Sequence, residues 1–98
     1  MTLIETLGYD PRKYKTAAGA AKGLYRLLRE HVLEKGMNPD IECFIHSPSE
    51  AKEHGYVKSW HVCWESGPYG WAIGTFVGGP WGYCETYWGF DLVFNADN

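Results

Sequence analysis

Between residues 17 and 35 the apolar positions recur with a helical period. At about 100° per residue, Ala17, Ala20, Ala21, Leu24, Leu28 and Val32 share one arc, with Tyr25 and Leu27 at its edges. Lys22, Arg26, Arg29 and Glu30 fall on the opposite side. Thr16 is suited to accept a hydrogen bond from the first turn, and Gly36 to take the left-handed conformation that ends a helix. Asn38-Pro39 stops any continuation. The pattern predicts a helix over 16–36. Its alanine-rich first half lets the backbone approach a partner layer closely.

From residue 41 the period changes from helical to alternating. Ile41, Cys43 and Ile45 point one way and Glu42, Phe44 and His46 the other, which predicts a strand over 41–46. Further strands are expected over 56–65, 71–77 and 83–94, the last broken by a bulge near Gly89. Ser66-Gly67-Pro68-Tyr69-Gly70 and Gly78-Gly79-Pro80-Trp81-Gly82 have the length and composition of hairpin loops. Residues 47–55 are polar and carry both Pro and Gly, so they read as an exposed, mobile connection with one helical turn starting at Ser49. Upstream, 1–7 forms a short arm, and Gly8-Tyr9-Asp10-Pro11 is a turn. Tyr9 and Tyr14 flank a basic connector and pin it to the body. The expected fold is α+β in a single domain over 1–98: an arm at 1–15, the helix at 16–36 and the sheet within 40–95. One long helix packs on one face of a four-stranded antiparallel sheet (α-β-β-β-β). The simplest strand order is 1-2-3-4, and the alternative places the first strand at the far edge.

Counting polar residues on each parity assigns the sheet's faces. Ile41/Cys43/Ile45, Trp60/Val62/Trp64, Trp71/Ile73/Val77 and Cys84/Trp88/Phe90/Leu92/Phe94 are expected beneath the helix. That leaves Glu42, Phe44, His46, His61, Cys63, Glu65, Phe76, Tyr83, Glu85 and Tyr87 on the other face, with Ala72 and Gly74 forming a dip in its middle.

Composition sharpens this picture. Residues 56–94 hold all five tryptophans, twelve of the sixteen aromatic residues and seven of the twelve glycines. A surplus of rings that one helix cannot cover, on a face free of Lys and Arg, has the composition of an interface or ligand platform. The expected binding residues are Phe44, His46, His61, Phe76, Trp81, Tyr83 and Tyr87. The net charge is −3, and no Lys or Arg follows Lys58. The sheet therefore lacks the cationic footprint of a phosphate-backbone binder, and nucleic acid is not the expected partner. No apolar run approaches the ~20 residues of a membrane span, and no leader pattern stands at the N-terminus. A cytoplasmic location is expected. The three cysteines, Cys43, Cys63 and Cys84, each fall in an expected strand, where a small buried thiol is at home. A Cys63–Cys84 bridge is the one disulfide whose geometry is conceivable.

Candidate chemistry is sparse. His61-x-Cys63 puts an imidazole and a thiol on one side of a strand, near His46, but no Cys-x-x-Cys accompanies them and no zinc signature results. A Cys63/His61 nucleophile pair would need an orienting group such as Glu65 or Glu85. Glu42, Glu65 and Glu85 could do acid–base work only if they converged. His31 reads as a structural histidine and His54 as a solvated loop residue. Gly19 and Gly23 lie four apart on the helix's outer side and read as two glycines tolerated in a soluble helix. No cofactor and no metal are expected. The reading is a non-enzymatic module that contacts a protein through the aromatic sheet face, as a homodimer or as an acessory or inhibitor protein. The alternative is a small-molecule binder or small enzyme with a pocket between helix and sheet, lined by Trp60, Trp64, Trp71 and Trp88.

Overall fold

The computed structural model describes residues 2–67, 72–77, 81–85 and 93–96. The fold is α+β, with one long helix laid across an antiparallel sheet. Four α-helices, α1 (Leu3–Leu7), α2 (Ala17–Glu34), α3 (Pro39–Glu42) and α4 (Pro48–Glu53), and a 3-10 turn over Pro11–Lys13 accompany five strands among the described residues. These are β1 (Cys43–His46), β2 (Trp60–Trp64), β3 (Ala72–Val77), β4 (Gly82–Cys84) and β5 (Phe94–Asn95), in spatial order β1-β2-β3-β4-β5.

Local sequence explains most of the boundaries. Thr16 caps α2 by accepting from the Gly19 N–H, as its hydroxyl is suited to do. Gly36 beyond the helix has φ +79°. Thr2 and Glu5 form a reciprocal capping box that starts α1, and Gly8 ends it at φ 68°. The expected first strand is shorter than its alternation suggests. Asn38 caps a helical turn over Pro39–Glu42, so β1 begins at Cys43. Proline at the first helical position favours this turn, and it leaves Ile41 65% exposed rather than inward. The second strand likewise begins at Trp60, not at residue 56. The expected fourth strand is not continuous. β4 and β5 pair with each other, with Gly82 opposite Asn95 and Tyr83 opposite Phe94, so the chain turns back between them. The expected bulge at Gly89 lies outside the described residues.

The core lies between α2 and the sheet. Ala20, Ala21, Leu24, Leu28 and Val32 are fully buried and join Cys43, Val62, Trp64, Ile73, Phe76, Trp81 and Tyr83 in one cluster. Tyr9 belongs to it too, and its hydroxyl donates to the Ala20 carbonyl at 2.7 Å. Tyr14 lies over Gly23: a Cβ there would fall 2.2 Å from the Tyr14 hydroxyl oxygen. Gly23 is therefore buried beneath a ring, not an idle glycine on an outer surface. Tyr9 and Tyr14 stack at 5.9 Å, which pins the connector as expected.

The face assignment holds for β1 and β2 and fails for β3 and β4. Between β2 and β3 the register shifts: Val62 faces Gly74, but Cys63 faces Ala72. Ile73 is thereby the extra residue of a bulge. Trp60 pairs with Phe76, and Phe76 with Tyr83, so both rings lie on the α2 side. Leu24 Cδ2 would be 2.7 Å from a Cβ at Gly74. Of the expected dip on the open face, Gly74 is instead the notch into which α2 is seated, while Ala72 stays opposite Cys63 on the other face. Phe76 and Tyr83 are consequently inaccessible, with ring centroids 4.8 Å apart.

Candidate functional site

The expected binding residues separate into two groups. Phe44 and His46, both half-buried, and His61, 1% exposed, lie on the sheet face opposite α2. Phe76 and Tyr83 lie in the core, as does Trp81, whose indole N–H donates to the Lys15 carbonyl at 3.1 Å. Tyr87 lies outside the described residues. The face opposite α2 is not an open aromatic platform where it is described. His61, Cys63, Ala72, Thr75 and Cys84 on its strands are all buried.

Part of its cover is α4. Ser47 opens this helix with a capping box, accepting from the Glu50 N–H while Glu50 reaches back to the Ser47 N–H at 2.9 Å. Ala51, fully buried, is the helix's anchor. After α4 the Tyr56 N–H returns to the Ala51 carbonyl at 2.8 Å, across Gly55 at φ +82°. This return brings His54 and Tyr56 back over β1 and β2. His46 and His61 are direct neighbours in the β1–β2 register. The His54 ring lies 5.1 Å from that of His46, and Tyr56 is 6.5 Å from His46, 6.2 Å from His54 and 6.1 Å from His61. Three of the four histidines thus share one cluster. Sequence reasoning missed His54 and Tyr56. The available signal was Ser47-Pro48-Ser49-Glu50, a capping box with proline at the first helical position.

The electrostatics follow from burial. The Val57 carbonyl can only accept, so His61 Nε2, 2.9 Å away, carries the proton, and Nδ1 faces the Thr75 hydroxyl at 3.4 Å. Burial holds the His61 pKa below the ordinary histidine value, opposed by this backbone bond. His46 is also held low, by burial first and then by His54 and His61, with Glu50 opposing. Cys43, Cys63 and Cys84 are all buried. Burial pushes the Cys63 thiol up to about 12 and raises that of Cys43 as well. A thiol held protonated in this way is a poor nucleophile, so the His61/Cys63 pair has the wrong chemistry for covalent catalysis. Among the described residues, no group of three or more His, Cys, Asp or Glu side chains is placed to hold a metal ion. No helix among them is long and apolar enough to cross a membrane.

The expected carboxylates do not form one group. Glu42 accepts from the Ser66 hydroxyl at 2.6 Å, whereas Glu85 lines a cleft of about 330 Å³ with Tyr9, Asp10, Arg12, Tyr83 and Phe94. Of the expected tryptophan pocket, Trp60 sits beneath Lys22 Nζ at 5.7 Å, and Trp64 packs edge-on to His31 at 5.7 Å. Trp71 and Trp88 lie outside the described residues.

The backbone edge of β1 adds a second feature. The Glu65 N–H donates to the Glu42 carbonyl at 2.8 Å. Antiparallel partners alternate between bonded and non-bonded pairs, so Phe44/Cys63 and His46/His61 are the bonded ones. Cys43 and Ile45 then turn their backbone groups away from β2. The Cys43 N–H is taken by the Pro39 carbonyl. The Cys43 carbonyl and both groups of Ile45 point away from β2, and β1 pairs with no other strand among the described residues. Set against protein-family models, curated proteins and solved structures, the chain matches none.

Proposed function

We propose that this chain is a small non-enzymatic binding module whose contact with another protein is made by strand addition at the β1 edge. The observation that carries the reading is the chemistry of that edge. Exposed edges are usually blunted with lysine, proline or a bulge. Cys43-Phe44-Ile45-His46 has none of these, and Ile41 beside it is 65% exposed. Phe44 and His46 flank the edge on the face away from α2. The simplest partner is a second copy, paired β1 to β1 about a two-fold axis.

Light scattering on the purified protein tests this, with Ile45→Pro and Ile41→Lys as variants. The Ile45 N–H points away from β2, so proline there removes the donor a partner needs while sparing the internal ladder. The expected result is a dimer mass for the unmodified chain and a monomer mass for both variants. A monomer for the unmodified chain at high concentration overturns self-association. In that case a peptide-binding screen that gives no hit sensitive to Ile45→Pro overturns the edge altogether. A second reading, a small-molecule binder, draws support from the cleft beside Glu85. Its volume lies at the lower end of ligand pockets, and isothermal titration against a metabolite panel tests it.

A further inference from the structure

The cleft beside Glu85 has a floor and a mouth of different chemistry. Its floor is apolar: Ile4, Tyr9 and Tyr83 are buried there, and Phe94 is half-buried. Tyr9 sends its hydroxyl into α2, to the Ala20 carbonyl at 2.7 Å, so what it gives the cleft is its ring. Val93, 56% exposed, stands at the mouth and is held to β4 by the bond from its N–H to the Tyr83 carbonyl at 2.8 Å. The turn at Asp10-Pro11-Arg12 supplies more of the lining. Asp10 is neutralised within that turn, because Arg12 gives it the backbone N–H and Nε at 3.0 Å each and Nη2 at 3.2 Å. Glu85 is half-buried, and among the described residues no hydrogen bond or ion pair reaches its carboxylate. We propose, resting on the small-molecule reading above, that this cleft binds a small organic cation, a protonated amine on a short apolar or aromatic body, with Glu85 holding the charge.

The charged groups decide the sign of the ligand. Asp10 and Arg12 cancel at close range, which leaves the Glu85 carboxylate uncompensated among the described groups that line the cleft. A carboxylate partly out of water is best satisfied by a cation that brings its own N–H donors, since such charge-assisted bonds are about twice as strong as neutral ones. An anion would have to use Arg12, whose side chain is 73% exposed and already committed to Asp10, and would meet Glu85 as a like charge. The apolar floor takes the body of the ligand. A volume of about 330 Å³ is at the lower end for a small-molecule site and suits one ring with a short chain. The cleft lies on the turn after α1 and on β4 and β5, so it is separate from whatever pairs with β1.

Three probes built on one skeleton test the charge: phenethylamine, the neutral phenethyl alcohol and the anion hydrocinnamate. Each is titrated into the isotope-labelled protein at neutral pH and followed by NMR through the backbone amides of Tyr9, Asp10, Glu85 and Phe94. The amine is expected to bind about tenfold more tightly than the alcohol, the margin that a hydrogen bond to a charged group holds over a neutral one. Hydrocinnamate is expected to bind more weakly than either. Glu85→Gln keeps the side chain's shape and is expected to bring the amine down to the level of the alcohol. Equal binding of amine and alcohol, or an amine affinity that survives Glu85→Gln, overturns the cation while leaving the small-molecule reading in place. No shift with any of the three overturns the cation as well, and the metabolite panel then decides whether the cleft takes another class of ligand. If Glu85→Gln does not fold, Arg12→Gln decides. Freeing Asp10 in this way is expected to tighten amine binding several-fold, and unchanged or weaker binding overturns the proposal.

Discussion

The Cδ2 atom of Leu24 lies 2.7 Å from the place a Cβ on Gly74 would occupy, and the Tyr83 ring lies 2.9 Å from it. Helix and sheet meet there with no room for a methyl group. Gly74→Ala is expected to lower stability by about 1–3 kcal/mol, the usual cost of overpacking a filled core. Urea denaturation measures it, and an unchanged midpoint would show that α2 does not sit this close to β3.

Gly23 is a different case, because its neighbour is the tip of a half-buried side chain. Gly23→Ala alone is expected to displace Tyr14 from its seat, since a new Cβ would lie 2.2 Å from the Tyr14 oxygen. In a Tyr14→Ala background the same change should become stabilising, by about 1 kcal/mol of recovered helix propensity. A double-mutant cycle reads this reversal as a coupling energy. Additive effects would rule the contact out.

The thiols offer a chemical test. All three are buried, and the Cys63 thiol is pushed up to about 12 by burial. In the native protein at pH 8, iodoacetamide is expected to modify Cys43 and Cys63 at least ~100-fold more slowly than in urea, because the thiolate is the reacting species. Rapid native alkylation of Cys63 would contradict its place in the sheet.

Histidine burial is expected to contribute to the acid limb of stability. His46 and His61 have folded-state pKa values below the ordinary 6.5. In the unfolded chain they take up protons at the ordinary value, so below about pH 6.5 the unfolded state binds more protons than the folded one. Stability is therefore expected to be flat with respect to these groups above that pH and to fall as pH drops beneath it. His61→Gln should flatten part of the slope in denaturant midpoints taken from pH 7.5 to 5. An unaltered slope would assign the acid limb to other groups.

How far these features were legible in the chain varies by element. The period of α2 and its caps at Thr16 and Gly36 placed the helix to within a residue or two, because its buried arc is continuous. The faces of β1 and β2 followed from Glu42 and His46 on one side and Val62 and Trp64 on the other. β3 misled because its rings and aliphatic residues outweighed its one polar group. Thr75 shares the parity of Ile73 and Val77, and its hydroxyl pairs with His61 on the face away from α2. Given its due weight, it would have put Gly74 and Phe76 beneath the helix. For β4, the carboxylate of Glu85 pulled Tyr83 outward in the count, although Glu85 stands beyond the strand's last residue, Cys84. The bulge at Ile73 had no local signature, since register between strands belongs to the pair and not to either alone. The histidine cluster was hidden for a related reason: His46, His54 and His61 become neighbours only once α4 folds the chain back.

The bond from the Trp81 indole to the Lys15 carbonyl joins positions 66 apart in the chain, and the Ala96 N–H closes on the Trp81 carbonyl beside it. During synthesis, Tyr9 and Tyr14 can already seat against Ala20 and Gly23 of α2, but the Lys15 carbonyl has to wait for residue 81. A chain halted before Trp81 would keep the two tyrosines on α2 and leave the end of the connector at Lys15 unfastened.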